Sequence, residues 1–596
     1  MGNTFEIKVL QQPDGLAKAI AEKYVTWESS KEKWYRNARE TLEYLYATSA
    51  RDIYNQPREF DNSTHLPKLT QIRDMLVTYY LEAMFSLPDF VDWIPYSEQS
   101  VNVETKNTLK DLVRQMLDDS NFKGTIREIV EDYVDYGDCF ATAVPVVEQL
   151  HGENGVVYPV YSGPKVVRID PMSIVFDPMA TDFAKSPKVI RTTMTIGELL
   201  ANVEEMPEDS SVYKEAVQRA VDKRNEVRTK LSSGNKELIE DDICNIAGVG
   251  SWSAYYDSDI VELLTFYGDI YDIDANKLYK NSRIIVMDRC YVLLNEPIKN
   301  LGYGCNIFKA GWRDRKNNLW SMSPLDNIKG MQFMIDFLEN KRADIFNFIS
   351  NPVFVTKGDA EMPEYYYPGC QIGLDNDADI KMLTPDATAL QADLYIDRYL
   401  TLMEEMAGTP REAMGFRTPG EKTAFEVSQL NTASSRLFNE KVRKFEQEML
   451  EPLITLMLRI YLSDNSRVTK IKTVNEDGVV LFKEVDLKSL TGNGKFVATG
   501  SNTYTEKARI AQTLMQVSNT ALMSDPLIMN WFDPKVLAKA LTYSTGLDKF
   551  NGLLRQNARV DAELEMKKAG EFAQQQLEET QVRGVNNAQQ TPMQSL

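Results

Sequence analysis

The side chains that most often carry out catalysis are few in this sequence and lie far apart. Only two histidines occur, His65 beside a polar loop and His151 just before a glycine. A Ser-His-Asp triad or a histidine zinc site needs histidine next to its partner residues, so the sequence offers little for either. The five cysteines are scattered without a CxxC pair, which favours reduced thiols over a disulfide framework. We therefore predict no histidine-dependent chemistry, no metal and no cofactor.

Two short segments partly match ligand-binding motifs. Residues 415–423 look like a Walker A loop, but Glu421 separates the glycine from the lysine and would place a carboxylate against a nucleotide. Residues 375–386 look like a calcium loop, but Ile380 stands where the sharp turn needs glycine, and the last ligand is Asp386 instead of a bidentate glutamate. These departures favour a loop before a helix in the first case and a solvated acidic loop in the second.

An acidic cluster near the end of a predicted helix is the best candidate for metal chemistry. It consists of Glu131, Asp132, Asp135 and Asp138, and such clusters hold catalytic magnesium in some enzymes. Tyrosines interleave with the carboxylates, and no lysine or histidine lies near them in the sequence. The cluster is therefore interpreted first as the acidic surface of a helix. A metal-dependent nuclease or phosphoesterase remains the alternative.

The elements that position these residues follow from hydrophobic periodicity and turn signals. In the amino-terminal half these patterns predict antiparallel strands surrounded by helices, an α+β module. The predicted helices are residues 16–45, 69–86, 103–120, 124–136 (ending at Gly137) and a polar segment, 196–235. The predicted strands are residues 139–147, 157–161, 165–169, 173–176 and a β-meander over 260–297.

Farther along the chain, two amphipathic helices flank a short insert rich in proline and glycine. Ser323 as N-cap and Pro324 at the first helical position begin the first helix, which extends to about Ser350. Apolar residues recur at spacings of three and four, which predicts one continuous buried face on each helix. These residues are Leu325, Ile328, Met331, Ile335, Leu338, Ile345 and Ile349 on the first helix, and Leu390, Leu394, Tyr399, Met403 and Met406 on the second.

A loop bounded by glycines follows the second helix and leads into a third, longer one. This third helix is predicted over residues 421–462, with Pro452 kinking it. A hairpin is predicted at 468–474 and 479–485 because Asp477-Gly478 is a turn signal. Further helices are expected from 505 to about 577, and the Gln/Asn-rich end of the chain is expected to be disordered.

The charge balance bears on the partners of the chain. It carries 87 acidic and 67 basic residues, a formal charge of −20. Proteins that hold nucleic acid tightly gather lysine and arginine, so this chain either avoids nucleic acid or lets a polyanion pass without sticking. No apolar signal sequence and no run of 18 apolar residues occur, which predicts a soluble protein made inside a cell and not in a membrane.

Four stretches, in this order, resemble those of one protein family. They are residues 126–138, a helix ending at glycine; 167–171 with 176–178, a strand and turn; 320–325, the approach to the first amphipathic helix; and 408–415 with Lys422–Val427, a loop and a Thr-Ala-x-Glu-Val helix start. From about residue 15 to 550 the chain resembles a bacteriophage portal protein, the head-to-tail connector, and most closely those of short-tailed phages.

The resemblance implies an α+β, predominantly helical, portal-like fold assembled as a dodecameric ring. The family's regions map onto this sequence as follows: wing, 1–322; first stem helix, 323–350; clip, 351–385; second stem helix, 386–407; tunnel loop, 408–420; long wing helix and β-hairpin, 421–504; helical crown, 505–579; disordered tail, 580–596.

The resemblance also implies a function that is structural and not enzymatic. Portal rings sit at one capsid vertex of the virion and form the channel for DNA packaging, retention and ejection and for tail attachment. They are assembled in the host cytoplasm. The implied partners are copies of the chain itself, double-stranded viral DNA, the terminase motor that hydrolyses ATP, a tail adaptor and the major capsid protein.

Three groups of residues are candidates for this function. The first, implied by the resemblance to contact DNA in the tunnel loop, is Gly408, Thr409, Pro410, Arg411, Glu412, Met414, Gly415, Phe416, Arg417 and Thr418. The second, expected as cationic belts in the stem lumen if the helices form a ring, is Lys329, Lys341 and Arg342. The third, implied to form the clip interface, is Phe354, Lys357, Tyr365, Tyr366, Tyr367, Asp375 and Asp377.

Two alternatives stay open on the sequence alone. One is the nuclease or phosphoesterase that would use the acidic cluster from Glu131 to Asp138, and the other is a helical scaffold protein without a DNA role. Oligomeric state separates them from the portal hypothesis, which requires rings instead of a 67.9 kDa monomer.

Overall fold

The structure, a computed structural model, combines helices with mostly antiparallel sheets. The residues that it describes are 5–7, 13–53, 62–85, 90–95, 103–151, 157–204, 211–232, 259–298, 301, 304–350, 353–357, 360–361, 373–374, 379–383, 391–407, 438–463, 468–474, 480–486 and 494–498. The chain divides into two compact units, Met1–Thr469 with Val485–Ser501, and Lys470–Glu484 with Asn502–Leu596. The predicted crown and carboxyl-terminal tail lie outside the described residues.

The described helices and strands lie between Phe5 and Ala498. The helices are α1 (Pro13–Tyr46), α2 (Lys68–Phe85), α3 (Val103–Asp119), α4 (Phe122–Asp135), α5 (Ile196–Glu204), α6 (Ser211–Ser232), α7 (Lys329–Ser350), α8 (Asp393–Ala407), α9 (residues 438–445) and α10 (Glu451–Ser463). The strands are β1 (Phe5–Ile7), β2 (Val91–Pro95), β3 (Asp138–His151), β4 (Val157–Ile169), β5 (Ile174–Phe176), β6 (Lys188–Thr195), β7 (Ile260–Asp272), β8 (Lys277–Met287), β9 (Tyr291–Pro297), β10 (Ile307–Gly311), β11 (Arg313–Arg315), β12 (Asn318–Met322), β13 (Val353–Lys357), β14 (Ala360–Glu361), β15 (Gly373–Leu374), β16 (Asp379–Leu383), β17 (Val468–Val474), β18 (Val480–Asp486) and β19 (Gly494–Ala498).

The mixed class of helix and strand expected from the sequence is confirmed. The first four predicted helices end within three residues of α1 to α4, and the predicted meander is β7, β8 and β9. Strands β2, β10 and β19 were not predicted, because each pairs with a strand distant in sequence. Strand β6 was also missed, although one of its partners, β5, is close to it in sequence. The described residues form nineteen strands, so the sheets take a larger share than a predominantly helical chain would give them.

The largest sheet has the strand order β5-β6-β7-β8-β9, with β1 added in parallel along β7. Side chains alternate between its two faces, so each face buries its own apolar set. Leu264 and Phe266 pack under α1, whereas Val261 and Leu263 pack under α5 and α6. Helices therefore cover both faces of this sheet.

Helix α1 is fixed to the β4–β5 turn by a buried lysine. Lys31 Nζ donates to the carbonyl oxygens of Pro171 and Ile174 at 2.5 and 2.9 Å, and lies 4.5 and 4.6 Å from the Trp34 and Trp320 ring centres. Burial lowers the pKa of Lys31 to about 7. Carbonyl acceptors and ring faces both favour the ammonium form, so the surroundings offset part of the cost of burial.

The junction between α4 and β3 brings distant segments into backbone contact. Gly137, which was predicted to end the helix, has φ of 77°, a conformation that favours glycine. Its carbonyl accepts from the Trp312 backbone N–H at 2.8 Å. A Cβ atom on Gly137 would lie 2.4 Å from the carbonyl carbon of Met322. The chain just before α7 therefore passes directly over this glycine.

None of the helices formed by the described residues combines the length and the apolar character that crossing a membrane requires.

Replacing Gly137 by alanine tests the junction between α4 and β3. We expect Gly137→Ala to lower the free energy of unfolding by about 2 kcal/mol or more, since the left-handed conformation alone costs an L-residue about 1–2 kcal/mol. Gly330→Ala is the matched control, because no atom lies within 4 Å of its Cβ position. Within helix α7 that change is expected to stabilise by about 0.5–1 kcal/mol. Equal effects of the two substitutions in urea denaturation would contradict the close approach.

Candidate functional site

Two helices and the small sheets between them form the candidate site, which we call the paired-helix arm (Lys329–Ala407). Helices α7 and α8 pack against each other, and β13 pairs antiparallel with β16 between them. Arg342 in the second half of α7 bonds to Asp393 at the start of α8. Glu404 near the end of α8 bonds to Lys68, close to the segment that contacts the first half of α7. The two helices are therefore antiparallel, with the β insert at their far end.

The turn before α7 begins as the sequence indicates. The Leu325 N–H donates to Ser323 Oγ at 2.9 Å, and the Ser323 N–H donates to Asp326 Oδ2 at 2.9 Å. The two bonds are reciprocal, as in a capping box, except that the Ser323 hydroxyl accepts from the residue two positions on instead of three. A short 3-10 turn, Leu325–Asn327, precedes the regular helix.

One face of α7 buries polar side chains, which sequence reasoning missed. Residues 62–69 run along this face and bond to a row of side chains spaced four residues apart, which we call the polar ladder: Gln332, Asp336, Asn340 and Asp344. The first three are buried. The regular spacing of four polar residues along one predicted helix is the signal that would have found them.

The bonds of the polar ladder satisfy backbone groups that no sheet reaches. Asn340 accepts from the Thr64 N–H at 2.8 Å and donates to the Thr64 carbonyl at 2.9 Å. Asp336 accepts from the Leu66 N–H at 3.0 Å and lies 2.7 Å from His65 Nδ1. A buried backbone group without a partner costs free energy comparable to a lost hydrogen bond, so these contacts fix the rotation of α7 about its axis.

The predicted apolar faces are buried only in part. Leu325, Ile328 and Ile335 are fully buried, as expected, and so is Met403 in α8. In the second half of α7, by contrast, Phe346, Phe348 and Ile349 are exposed, and in α8 Leu394, Tyr395 and Met406 are exposed. The faces are not continuous within one subunit, because the polar ladder occupies the inward side of α7.

The three cationic candidates on α7 have different surroundings. Lys329 is only 6% exposed, and its Nζ donates to the Asn37 side chain at 2.7 Å and lies 3.3 Å from Glu40. Lys329, expected as part of a cationic belt, is therefore buried and ties α7 to α1. Lys341 is exposed, and Arg342 is half-buried between Glu339 and Asp393.

The insert between the helices holds part of the predicted clip interface. Phe354 is half-buried and lies opposite Met382, and Lys357 is exposed and lies opposite Asp379. Strand β14 pairs with β15 deeper in the insert. The other candidates lie outside the described residues: Tyr365, Tyr366, Tyr367, Asp375 and Asp377.

The tunnel-loop candidates, residues 408–420, and the Walker A-like segment also lie outside the described residues. The long helix that follows is described from residue 438 onward and contains a π-helical turn, Glu446–Leu450. The Glu451 N–H bonds to the Glu446 carbonyl, one position wider than in an α-helix. Pro452 follows directly, and its ring crowds the preceding turn, so the expected kink takes the form of a widened turn.

The acidic cluster is paired, and three of its four carboxylates (Asp132, Asp135 and Asp138) are buried while Glu131 is half-buried, which corrects its interpretation as a helix surface. Asp132 accepts two bonds from Arg168 at 2.5 and 2.6 Å, and Asp135 accepts two from Arg73 at 2.8 and 2.9 Å. Asp138 lies 2.8 Å from the Nζ atom of a lysine in β10. The partners were missed because they come from α2, β4 and β10, far away in sequence.

Burial shifts the pKa values of these carboxylates. It raises the pKa of Asp132 to about 7 and also raises the pKa of Asp135, while the guanidinium of each partner arginine opposes the rise. Hydrogen bonding to Asp132 raises the pKa of Arg168 in turn. Each carboxylate is thus directed at its own cation. Among the residues that the structure describes, no group of three or more acidic, histidine or cysteine side chains is arranged to hold a metal ion.

No protein-family model matches the chain, and no curated protein is significantly similar to it.

The polar ladder gives a direct test of how α7 is held. Asn340→Leu removes both bonds to Thr64, and the loss of two partly buried hydrogen bonds is expected to cost about 1–3 kcal/mol of unfolding free energy. Asn347→Leu is the matched control on the same helix, since Asn347 is exposed. Chemical denaturation measures both variants. A loss of similar size in the two would show that Asn340 does not anchor the helix.

Proposed function

We propose that this chain is the subunit of a bacteriophage portal, a ring-shaped channel at one capsid vertex for viral DNA packaging, retention and ejection and for tail attachment. The observation that carries the proposal is the paired-helix arm: two antiparallel helices, α7 and α8, rise from a mixed α/β body and carry small β hairpins at their far end. In this proposal α7 and α8 are the stem, the insert is the clip, and the body before them is the wing.

Exposed apolar side chains on the arm support assembly. Phe346 is 62% exposed and Leu394 is 76% exposed, on two helices whose far ends lie together. Removing apolar area from water contributes about 25 cal/mol per Å². Copies of the same chain arranged around an axis would cover these residues with the flank of the next subunit. In this proposal, Phe346 and Leu394 therefore form contacts between neighbouring subunits.

Charge supports a channel that DNA passes without sticking. A formal charge of −20 per subunit, repeated around a ring, gives a field that repels duplex phosphates. Lys341 and Arg342 remain the candidates for local cationic belts that slow or centre the DNA. Lys329 cannot contribute to such a belt, because it is buried. Residues 408–420 are the proposed DNA-contacting loop.

The remaining assignments follow from the same proposal. The ring has twelve copies and belongs to the virion, with a helical crown at residues 505–579. The clip meets the terminase motor during packaging and a tail adaptor afterwards, and the wing meets the major capsid protein. The subunit itself is not an enzyme, and the terminase hydrolyses the ATP.

Assembly is the decisive experiment. We expect size-exclusion light scattering and negative-stain microscopy to give rings of the full chain, and Phe346→Asp with Leu394→Asp to reduce them to smaller species. Each buried carboxylate would cost about 2 kcal/mol or more per interface, roughly thirtyfold in the association constant. Met179→Asp is the control, since Met179 is 79% exposed but lies outside the arm. A wild-type chain that stays monomeric at all concentrations would end the proposal.

The loop has a separate test. Arg411→Ala, or deletion of residues 414–417, is expected to leave the rings intact and to impair retention of packaged DNA several-fold, because the loop contacts DNA and not the neighbouring subunit. Particle assembly followed by nuclease protection of packaged DNA measures retention. Loss of the rings themselves would show that the loop is structural instead.

A further inference from the structure

The hairpin β11–β12 concentrates positive charge in an acidic protein. Three of its side chains, Arg313, Arg315 and Lys316, are exposed, and none of them forms an ion pair among the described residues. Asp314, the acidic residue between them, is already engaged by Lys444. Within the part of the chain that the structure describes, the tip of the hairpin therefore carries three unpaired cations beside a single paired carboxylate, Asp314. We call it the cationic hairpin (residues 313–318).

Helix α9 adds further cations behind the hairpin. Lys441 Nζ donates to the Trp312 carbonyl at 2.6 Å and lies 4.6 Å from the Trp312 ring centre, and Arg313 lies 5.2 Å from the same ring. The indole N–H of Trp312 donates to the Tyr80 hydroxyl at 3.1 Å. One tryptophan, itself held in place, thus keeps two like charges close together.

This closeness has an electrostatic cost that an anion would relieve. Burial, followed by the charges of Lys444 and Arg313, lowers the pKa of Lys441. Like charges held together by rigid elements attract an anion more strongly than the same charges spread over a surface.

A cleft opens beside the cationic hairpin and contains donors suited to phosphate oxygens. It measures about 500 Å³, and Arg315, Asn317 and Asn318 are among the residues that line it. Lys309 also lines the cleft, but its Nζ already lies 2.8 Å from Asp138. Guanidinium groups bind phosphate with two parallel hydrogen bonds, and amide groups donate to the remaining oxygens. Carboxylates also line the cleft, but Asp314 is paired with Lys444, and the Gly311 N–H donates to Glu448.

We propose that the cationic hairpin and its cleft bind the phosphate backbone of duplex DNA. The inference rests on the proposed function in taking DNA as the polyanion, and it adds a contact outside both the arm and residues 408–420. Phosphate contacts of this kind position DNA without reading its sequence. The net negative charge of the chain limits DNA contact to local cationic surfaces of this kind, because acidic surfaces repel the duplex.

The test compares salt dependence of binding in two charge-matched variants of the full chain. One carries Arg313→Gln, Arg315→Gln and Lys316→Gln. The control carries Lys18→Gln, Lys23→Gln and Lys33→Gln, which removes three exposed lysines from α1. Fluorescence anisotropy with a short mixed-sequence DNA duplex gives the slope of log Kobs against log salt. We expect the hairpin variant to reduce the slope by about 2 to 3, at about 0.9 per phosphate contact, and the control to leave it unchanged.

Several outcomes would overturn the inference. Equal slopes in the two variants, or a wild-type chain that does not bind the duplex at low salt, would show that the hairpin is an ordinary solvated surface. A hairpin variant that loses self-association while keeping its DNA slope would assign the surface to an acidic segment of a second copy. Light scattering on the same samples distinguishes failure of this inference from failure of the proposed function. Rings whose DNA-binding slope is the same in the hairpin variant as in the wild type would contradict only this inference. A monomer whose slope falls in the hairpin variant would contradict only the proposed ring.

Discussion

The polar ladder on α7 is the constraint on which the arm depends. The segment of residues 62–69, extended as far as Pro67, runs along α7 without a neighbouring strand. Each of its backbone groups that is shielded from water would cost about 1–3 kcal/mol if it stayed unpaired. Gln332, Asp336 and Asn340 supply the missing partners. Because one residue of helix rotation moves a side chain by about 100°, α7 cannot turn without losing these bonds together. The rotation in turn decides which residues meet α8 and which apolar residues point outward at the far end.

Helix α4 organises the body in a comparable way with charge. Its buried carboxylates meet cations from two other elements, Arg73 from α2 and Arg168 from β4. Buried ion pairs of this kind add little net stability, because desolvation offsets much of their attraction, but a wrong partner is costly. The pairs therefore select one arrangement of α2, α4 and β4. Gly137 ends the same helix and lets the chain before α7 pass over it, which joins the body to the base of the arm.

The two functional proposals share a single electrostatic principle. A protein that lets DNA pass needs a surface that attracts the phosphates only weakly on average, with a few cationic sites that contact them. In these proposals, exposed apolar residues on the arm would serve assembly, and clustered cations on the cationic hairpin would serve contact with DNA. Trp312 holds two neighbouring cations in place, Arg313 through its ring and Lys441 through its carbonyl oxygen. Lys329, which has the same charge, contributes to neither role, because it is buried between α1 and α7.

The sequence by itself determined the local elements: α1 to α4, the β7–β9 meander, the helix–insert–helix order, the Ser323 cap and the stop at Gly137. Helical spacing, alternation and turn residues act over a few residues, so they can be read without a structure. Only the tertiary structure decided which faces are buried and which charges are paired. Asp132 finds Arg168 and Lys329 finds Asn37 across long stretches of chain, and β2 pairs with β19 over some four hundred residues. Burial depends on what is packed opposite a residue, and that neighbour is set by the whole fold and not by the residues adjacent in sequence.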